Sequence, residues 1–184
     1  RPKNGEPRVV PIVQSTTYKY DSSVEMGDLF DLKKSGYFYS RLQNPTCDTV
    51  AAKIAMLEGG VAGMLTGSGQ AANFYAIFNI AGAGDHIVSS TAIYGGTYNL
   101  FNVTLRKLGI DFTFVSPSAT EEELAAAIRP NTKAIFGETI SNPSLEILDI
   151  EKFARVAHKA GVPLIADNTF ATPINCRPFD FGCD

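Results

Sequence analysis

Beyond the first forty-odd residues, the apolar positions switch repeatedly between two spacings. Residues 1–44 hold Pro2, Gly5, Pro7 and Pro11, then the polar-aromatic stretch QSTTYKYDSS. Neither a period of two nor one of 3.6 is sustained there, which predicts an irregular N-terminal arm. Residues 45–184 read differently. The segment NPTCDTVAAKIAMLEGG carries Val50, Ile54 and Leu57 at helical spacing, and Gly59 stops it. Short apolar runs at Val61–Leu65, His86–Ser90, Asp111–Val115, Lys133–Glu138 and Val162–Ala166 predict strands. Helices are predicted between them: over Ala71–Ile80, near Thr97–Lys107, after a capping box of Thr120 and Glu123, and along the stripe Ile150, Phe153, Ala154 and Ala157, closed by Gly161. Uniformly apolar strands alternating with helices predict an α/β fold, a mostly parallel sheet flanked by helices.

Ligands of such sheets bind beyond the carboxyl ends of the strands. The loops there read TGSGQ, TAIYGGT, TISNP and DNTF, all polar, aromatic or glycine-rich. Composition narrows the candidates. The chain has 184 residues, 45% of them hydrophobic, and a formal net charge of −3 without a long run of either sign. That balance argues against a general nucleic-acid or anionic-membrane binder. No apolar stretch reaches the 18 or so residues of a membrane helix. Three cysteines with no C-x-x-C and no zinc-like spacing predict a reduced, cytoplasmic protein without a metal site. The chain opens on Arg1 rather than Met and stops at Asp184 where an apolar strand is due, so both ends look cut and a removed targeting segment stays open.

The turn TGSGQAA, Thr66 to Ala72, opens a helix, where free N–H groups and the helix dipole favour an anion. Gly69 lets the backbone close on phosphate oxygens and Ser68 adds a hydroxyl, although a tight turn needs glycine for its dihedrals alone. The same residues fit the dinucleotide fingerprint G-x-G-x-x-A, but the next strand ends Ser89-Ser90-Thr91 instead of in an acid. A nicotinamide-dependent oxidoreductase is therefore the alternative of a different class. A P-loop lacks its Lys-Ser or Lys-Thr, and a serine-hydrolase elbow would need glycine where Thr66 stands. Tyr94 can stack on a flat heterocycle, or simply pack on its own helix. Asn142-Pro143 reads as a turn. Asp167 closes the apolar run VPLIA, where an unpaired carboxylate is costly. A Lys or Arg could pair with it, or it could cap the following backbone. A protonated pyridine nitrogen could equally be its partner. Phosphate cradle, stacking ring and pyridinium carboxylate together suit pyridoxal 5′-phosphate.

The stretches YSRLQNPT, LEGG, SGQAA, YGGTYNLF, ETISNP and ADNTFATP, in this order, resemble the Cys/Met-metabolism family of pyridoxal-phosphate enzymes across essentially the whole chain. The resemblance implies the large domain of fold-type I enzymes, incomplete here. YGGTYNLF and ETISNP are most similar to the O-acetylhomoserine sulfhydrylase branch. Gly96 stands where methionine γ-lyases carry cysteine. By resemblance, Gly69 and Gln70 give N–H groups to the phosphate, Asn142 lies near the ring hydroxyl, and Tyr94 and Asp167 contact the ring as the catalytic pair. Tyr39 and Arg41, in the arm, reach the phosphate of the neighbouring subunit in a homotetramer of active-site dimers. The implied reaction is γ-replacement on O-acetylhomoserine by sulfide or a small thiol, giving homocysteine or methionine plus acetate. Methionine γ-lyase and cystathionine synthase or lyase activities are alternatives within the family. The family's cofactor lysine lies in a Ser-x-Thr-Lys motif just after the stretch matching DFGCD, beyond this chain, so the chain is read as one part of an enzyme. A truncated partner or scaffold is the non-enzymatic alternative.

Overall fold

The structure, a computed structural model, describes residues 4–184, and Pro2 of the arm lies outside them. Its chain divides into two compact units, residues 1–56 with 60–65 and residues 57–59 with 66–184.

The first unit contains a helix that the sequence pattern misses. α1, Ser23–Phe30, has only eight residues, too few to declare a period. Its start is fixed by the Ser22 hydroxyl, which accepts the Glu25 N–H at 3.1 Å. Around it the arm is tied by side chains. Asn44 donates through Nδ2 to the Val13 carbonyl and the Ser40 hydroxyl, both at 3.0 Å, and accepts the Thr46 N–H on Oδ1. α2 spans Pro45–Glu58, as expected, but its expected apolar face is not its buried one. Val50, Ile54 and Leu57 are exposed, and Ala51 and Ala55 are buried. Small residues are needed there because the following segment crosses closely: a Cβ on Gly63 would lie 2.7 Å from the Ala51 carbonyl oxygen. That segment, Val61–Leu65, is not the strand its composition predicts; among the described residues it has no ladder partner and its side chains are exposed. Apolar, β-prone residues do not make a strand without a neighbour to bond.

The second unit holds the sheet. Its strands are β1 (His86–Ser90), β2 (Asp111–Val115), β3 (Thr132–Glu138) and β4 (Leu164–Asp167), parallel throughout and ordered β2-β1-β3-β4. The helices of this unit are α3 (Gly69–Phe78) before β1, α4 (Gly95–Asn99) running into a π-helical stretch at Leu100–Leu105, α5 (Glu121–Ala126) and α6 (Ile150–Lys159) between the strands, and α7 (Thr172–Asn175) after β4, with a 3-10 turn at Pro178–Phe181. The helix expected near Thr97 thus starts two residues earlier and changes its winding midway. Strand alternation separates two cores. On one face Ile87, Ala134 and Phe136 meet Ile77, Phe101 and Leu105. On the other, Val88 and Ile135 meet Leu124, Phe153 and Ala157. Phe101 stacks on Phe112 and sets its edge to Phe136, each at 4.9 Å between centroids. Such pairs add roughly 0.5–1.5 kcal/mol beyond burial. The expected capping box of α5 is present: Thr120 Oγ1 accepts the Glu123 N–H, and the Glu123 carboxylate accepts the Thr120 N–H.

At the amino ends of the strands, His86 is fully buried. Nδ1 meets the Thr132 hydroxyl at 2.7 Å and Nε2 the Thr113 hydroxyl at 2.9 Å. Burial holds its pKa below the usual 6.5, helped by Arg129 and Arg106 and opposed by Asp111. Above 6.5 the ring is neutral whether the chain is folded or not. As pH falls through 6.5, the unfolded chain takes up a proton that the fold refuses, so stability drops until the folded pKa is reached. The thermal midpoint of the full enzyme should therefore decline as pH falls through 6.5, and more steeply than that of His86→Gln, whose side chain does not titrate. Parallel declines in the two proteins would show that His86 is not responsible.

Candidate functional site

The loops after β1, β3 and β4, with the turn that opens α3, enclose a cavity of about 400 Å³. Ser68, Gly69, Gln70, Tyr94, Asn142 and Asp167 all line it. Tyr39 and Arg41 belong to the other compact unit, where the Arg41 guanidinium lies 5.0 Å from the centroid of the Tyr39 ring.

The α3 end of the cavity is built for an anion. Ser68 is the N-cap, and its hydroxyl oxygen accepts the Ala71 N–H at 3.1 Å, leaving the hydroxyl proton free to donate. The N–H groups of Gly69 and Gln70, in the first turn, have no acceptor within the helix. A Cβ on Gly69 would meet nothing within 4 Å, so a ligand can approach its backbone closely.

Asp167 is the last residue of β4 and is half-buried rather than fully enclosed. Its Oδ1 accepts both the N–H and the hydroxyl of Thr169, the former at 3.0 Å. Its Oδ2 accepts Asn73 Nδ2 at 3.1 Å. Among the described residues no Lys, Arg or His lies within ion-pair distance. Of the ordinary fates of such a carboxylate, backbone capping is present and the salt bridge is not. Oδ2 retains a lone pair for one more donor.

Four side chains of this network lie beyond the expected set. Asn73, buried, donates to Asp167 and also to the Thr97 hydroxyl at 3.3 Å; Gln70 Nε2 donates to that hydroxyl at 3.0 Å. Thr169 holds Oδ1. The fourth is Glu138, the last residue of β3 and the register partner of Asp167, only 6% exposed. Its Oε1 accepts the Tyr94 N–H at 2.8 Å and its Oε2 the Asn142 N–H at 3.4 Å. Burial pushes the Glu138 carboxyl above the usual range, against the pull of the Tyr94 bond, and Asp167 pushes it further. The signal for Glu138 was the one that marked Asp167, an acid closing an apolar strand. Asn73 was legible as a lone amide four residues after Gly69. Thr97 and Thr169 gave no comparable signal.

A pocket lined by an anion cradle, an aromatic ring and a carboxylate without a cation among the described residues matches a family already suggested by the motifs. Residues 1–184 match the family described as Cys/Met metabolism PLP-dependent enzyme. The chain belongs to that family. Two Cys/Met-metabolism relatives are an O-acetyl-L-homoserine sulfhydrylase of Corynebacterium glutamicum, 51% identical over 177 residues, and a homocysteine synthase of Schizosaccharomyces pombe, 48% identical over 178 residues. Each alignment takes in 96% of this chain, but only 40% and 41% of the relative. The chain thus spans well under half the length of the relatives it matches. A Campylobacter jejuni O-acetylhomoserine (thiol)-lyase, solved with a pyridoxyl-lysine phosphate, superposes with a TM-score of 0.91 at 42% identity, over 95% of this chain and 43% of that one. The fold is accordingly that of the fold-type I large domain. The donor set fits the family's cofactor: amides and a hydroxyl for a phosphate, a ring to stack, and a carboxylate for a protonated ring nitrogen. No cluster among the described residues suits a metal ion, and no helix among them is long and apolar enough to cross a membrane.

Tyr94 is the N-cap of α4, lines the cavity and is nearly half exposed. A Cβ on Gly96 would lie 2.5 Å from the Tyr94 Cε1 atom. Gly96→Ala should therefore turn the Tyr94 ring away from its present place without unfolding the protein. A crystal structure of the variant checks this directly; a ring left where it is would refute the role of Gly96 in seating it.

Proposed function

We propose that this chain forms the cofactor-binding part of an enzyme that replaces the acetate of O-acetylhomoserine with sulfide or a small thiol, giving homocysteine or methionine plus acetate. The observation that carries the reading is Asp167: a carboxylate held by three protein donors, facing a ligand-sized cavity, with no cation among the described residues to neutralise it. The names borne by relatives at 51% and 48% identity support the choice of substrate.

Bound in this cavity, pyridoxal phosphate supplies an electron sink for negative charge at the Cα of an amino acid. The chain's own residues have separate tasks. Gly69 and Gln70 bind the phosphate through their N–H groups, with Ser68 donating its hydroxyl and the α3 dipole assisting. Tyr94 stacks on the ring. Asn142 lies toward the ring hydroxyl. Asp167 holds a proton on the ring nitrogen, a charge-assisted bond worth roughly 1.5–3 kcal/mol. Asn73 and Thr169 fix the carboxylate so that it does not swing to solvent when the ring departs. Tyr39 and Arg41 reach the phosphate of a neighbouring subunit, in a cytoplasmic homotetramer of active-site dimers. The nicotinamide alternative loses ground because no strand among the described residues precedes the GSGQAA turn and β1 ends in Ser89-Ser90 without an acid.

The direct test is to supply the full enzyme with O-acetylhomoserine and sulfide, then with methanethiol, and to assay homocysteine, methionine and 2-oxobutyrate. Predominant 2-oxobutyrate would favour the γ-lyase alternative. Asp167→Asn should fold normally yet lose about 100-fold or more in turnover at saturating cofactor, because an amide cannot hold the pyridinium proton. Near-wild-type turnover would reject that role. Arg41 is tested by mixing. In trans action leaves one intact pocket in each dimer formed from an Arg41→Ala and an Asp167→Asn subunit, so mixing should restore about half a dimer's activity. If Arg41 serves its own subunit, every pocket carries a defect and mixing restores nothing.

A further inference from the structure

Glu138 is the one acidic side chain of the cavity to which the proposed chemistry gives no task. It has no cation within ion-pair distance among the described residues, and burying such a group costs stability unless both oxygens find donors. Both do, and the donors come from two different loops. Tyr94 closes the loop after β1, and Asn142 lies in the loop after β3. Neither bond is part of a helix or of the sheet. A single carboxylate therefore spans two walls of the cavity through main-chain N–H groups. The side chains on those walls are the ring of Tyr94 and the amide of Asn142. β3 fixes the carboxylate itself, since Glu138 pairs in register with Asp167 on β4.

We propose that Glu138 is a positioning residue that sets Tyr94 and Asn142 at a fixed spacing across the cofactor ring, with Asp167 on the adjoining strand as the common reference. The proposal rests on the cofactor reading given above. Glutamine is nearly isosteric but offers one acceptor oxygen and one NH2 group, so one of the two main-chain donors must lose its partner. Aspartate keeps the charge but draws the carboxylate back by one methylene, so it cannot span both donors. Both variants should loosen the same bridge for different chemical reasons.

The test uses the full-length holoenzyme. In Glu138→Gln and Glu138→Asp, the dissociation constant for pyridoxal phosphate, titrated by its visible absorption, should rise about ten-fold. The visible circular dichroism per bound cofactor should weaken, because the ring is no longer clamped at one tilt. Turnover should fall about ten-fold or more while KM stays within about three-fold, the signature of lost orientation rather than lost substrate binding. A purely structural role would lower the thermal midpoint and leave the dichroism of the remaining folded holoenzyme unchanged. Unchanged dichroism and cofactor affinity in either folded variant overturns the proposal, and the aspartate variant serves if the glutamine variant does not fold. A wild-type enzyme that gains no visible band with pyridoxal phosphate overturns the cofactor reading and the proposal together.

Discussion

A parallel sheet covered by helices on both faces buries the middles of its strands and leaves most of their polar side chains where the strands begin or end. Every feature of the site follows from that restriction. β1, β3 and β4 are apolar through their middles, where Ile87, Val88, Ile135, Phe136 and Ile165 feed the two cores. Their polar residues are pressed to the ends: His86 and Thr132 at one edge, Ser90, Glu138 and Asp167 at the other. Because the strands run the same way, the second group arrives at one edge together. The register does the rest, setting Glu138 directly beside Asp167.

Two carboxylates on adjoining strands repel, and neither has a cation within ion-pair distance among the described residues. The local sequence answers with neutral donors. Asn73 and Thr169 serve Asp167, while main-chain N–H groups serve Glu138. The donors come from elements on several sides of the edge: α3, the loop after β4, the start of α4 and the loop after β3. The same hydrogen bonds that make the charges tolerable therefore join the loops of the cavity to one another. Site and scaffold are not separable here, since removing a donor costs stability and alters the cavity at once.

Much of this is legible in the amino-acid sequence. Central strands announce themselves because burial on both faces forces uninterrupted apolar runs, and β1 and β2 have the expected limits. The cavity residues of this unit, Ser68 to Gln70, Tyr94, Asn142 and Asp167, were reachable because sheet topology sends functional loops to one edge. The sequence failed where a residue's meaning depends on something distant. α1 is too short for a period, and its Ser22 cap is an ordinary serine. Val61–Leu65 has strand composition but no partner, and composition does not reveal a partner. Val50, Ile54 and Leu57 form a helical stripe, yet the buried positions of α2 are alanines pressed by a backbone crossing. Thr97 shows the same limit: only its place opposite Gln70 and Asn73 makes it different from any other threonine.

The winding of the helix that starts at Gly95 has a mechanical consequence. Thr97, Phe101 and Leu105 are all fully buried, the first bonded to Gln70 and Asn73, the others packed in the core. Positions four apart on an α-helix drift by about 40° at each step, so three of them would fan out over about 80°. The wider π turn at Leu100–Leu105 takes up part of that drift and brings the row closer to a line. One row of side chains thus reaches from the aromatic core to the hydrogen-bonded floor of the cavity. Tightening that turn to α geometry would rotate its two ends against each other, and the pocket end would have to twist for the core end to stay packed. The number of residues in this stretch is consequently as much a part of the site as their identity: a deletion there would act as a torsion on Thr97, though no atom of the cavity had been removed.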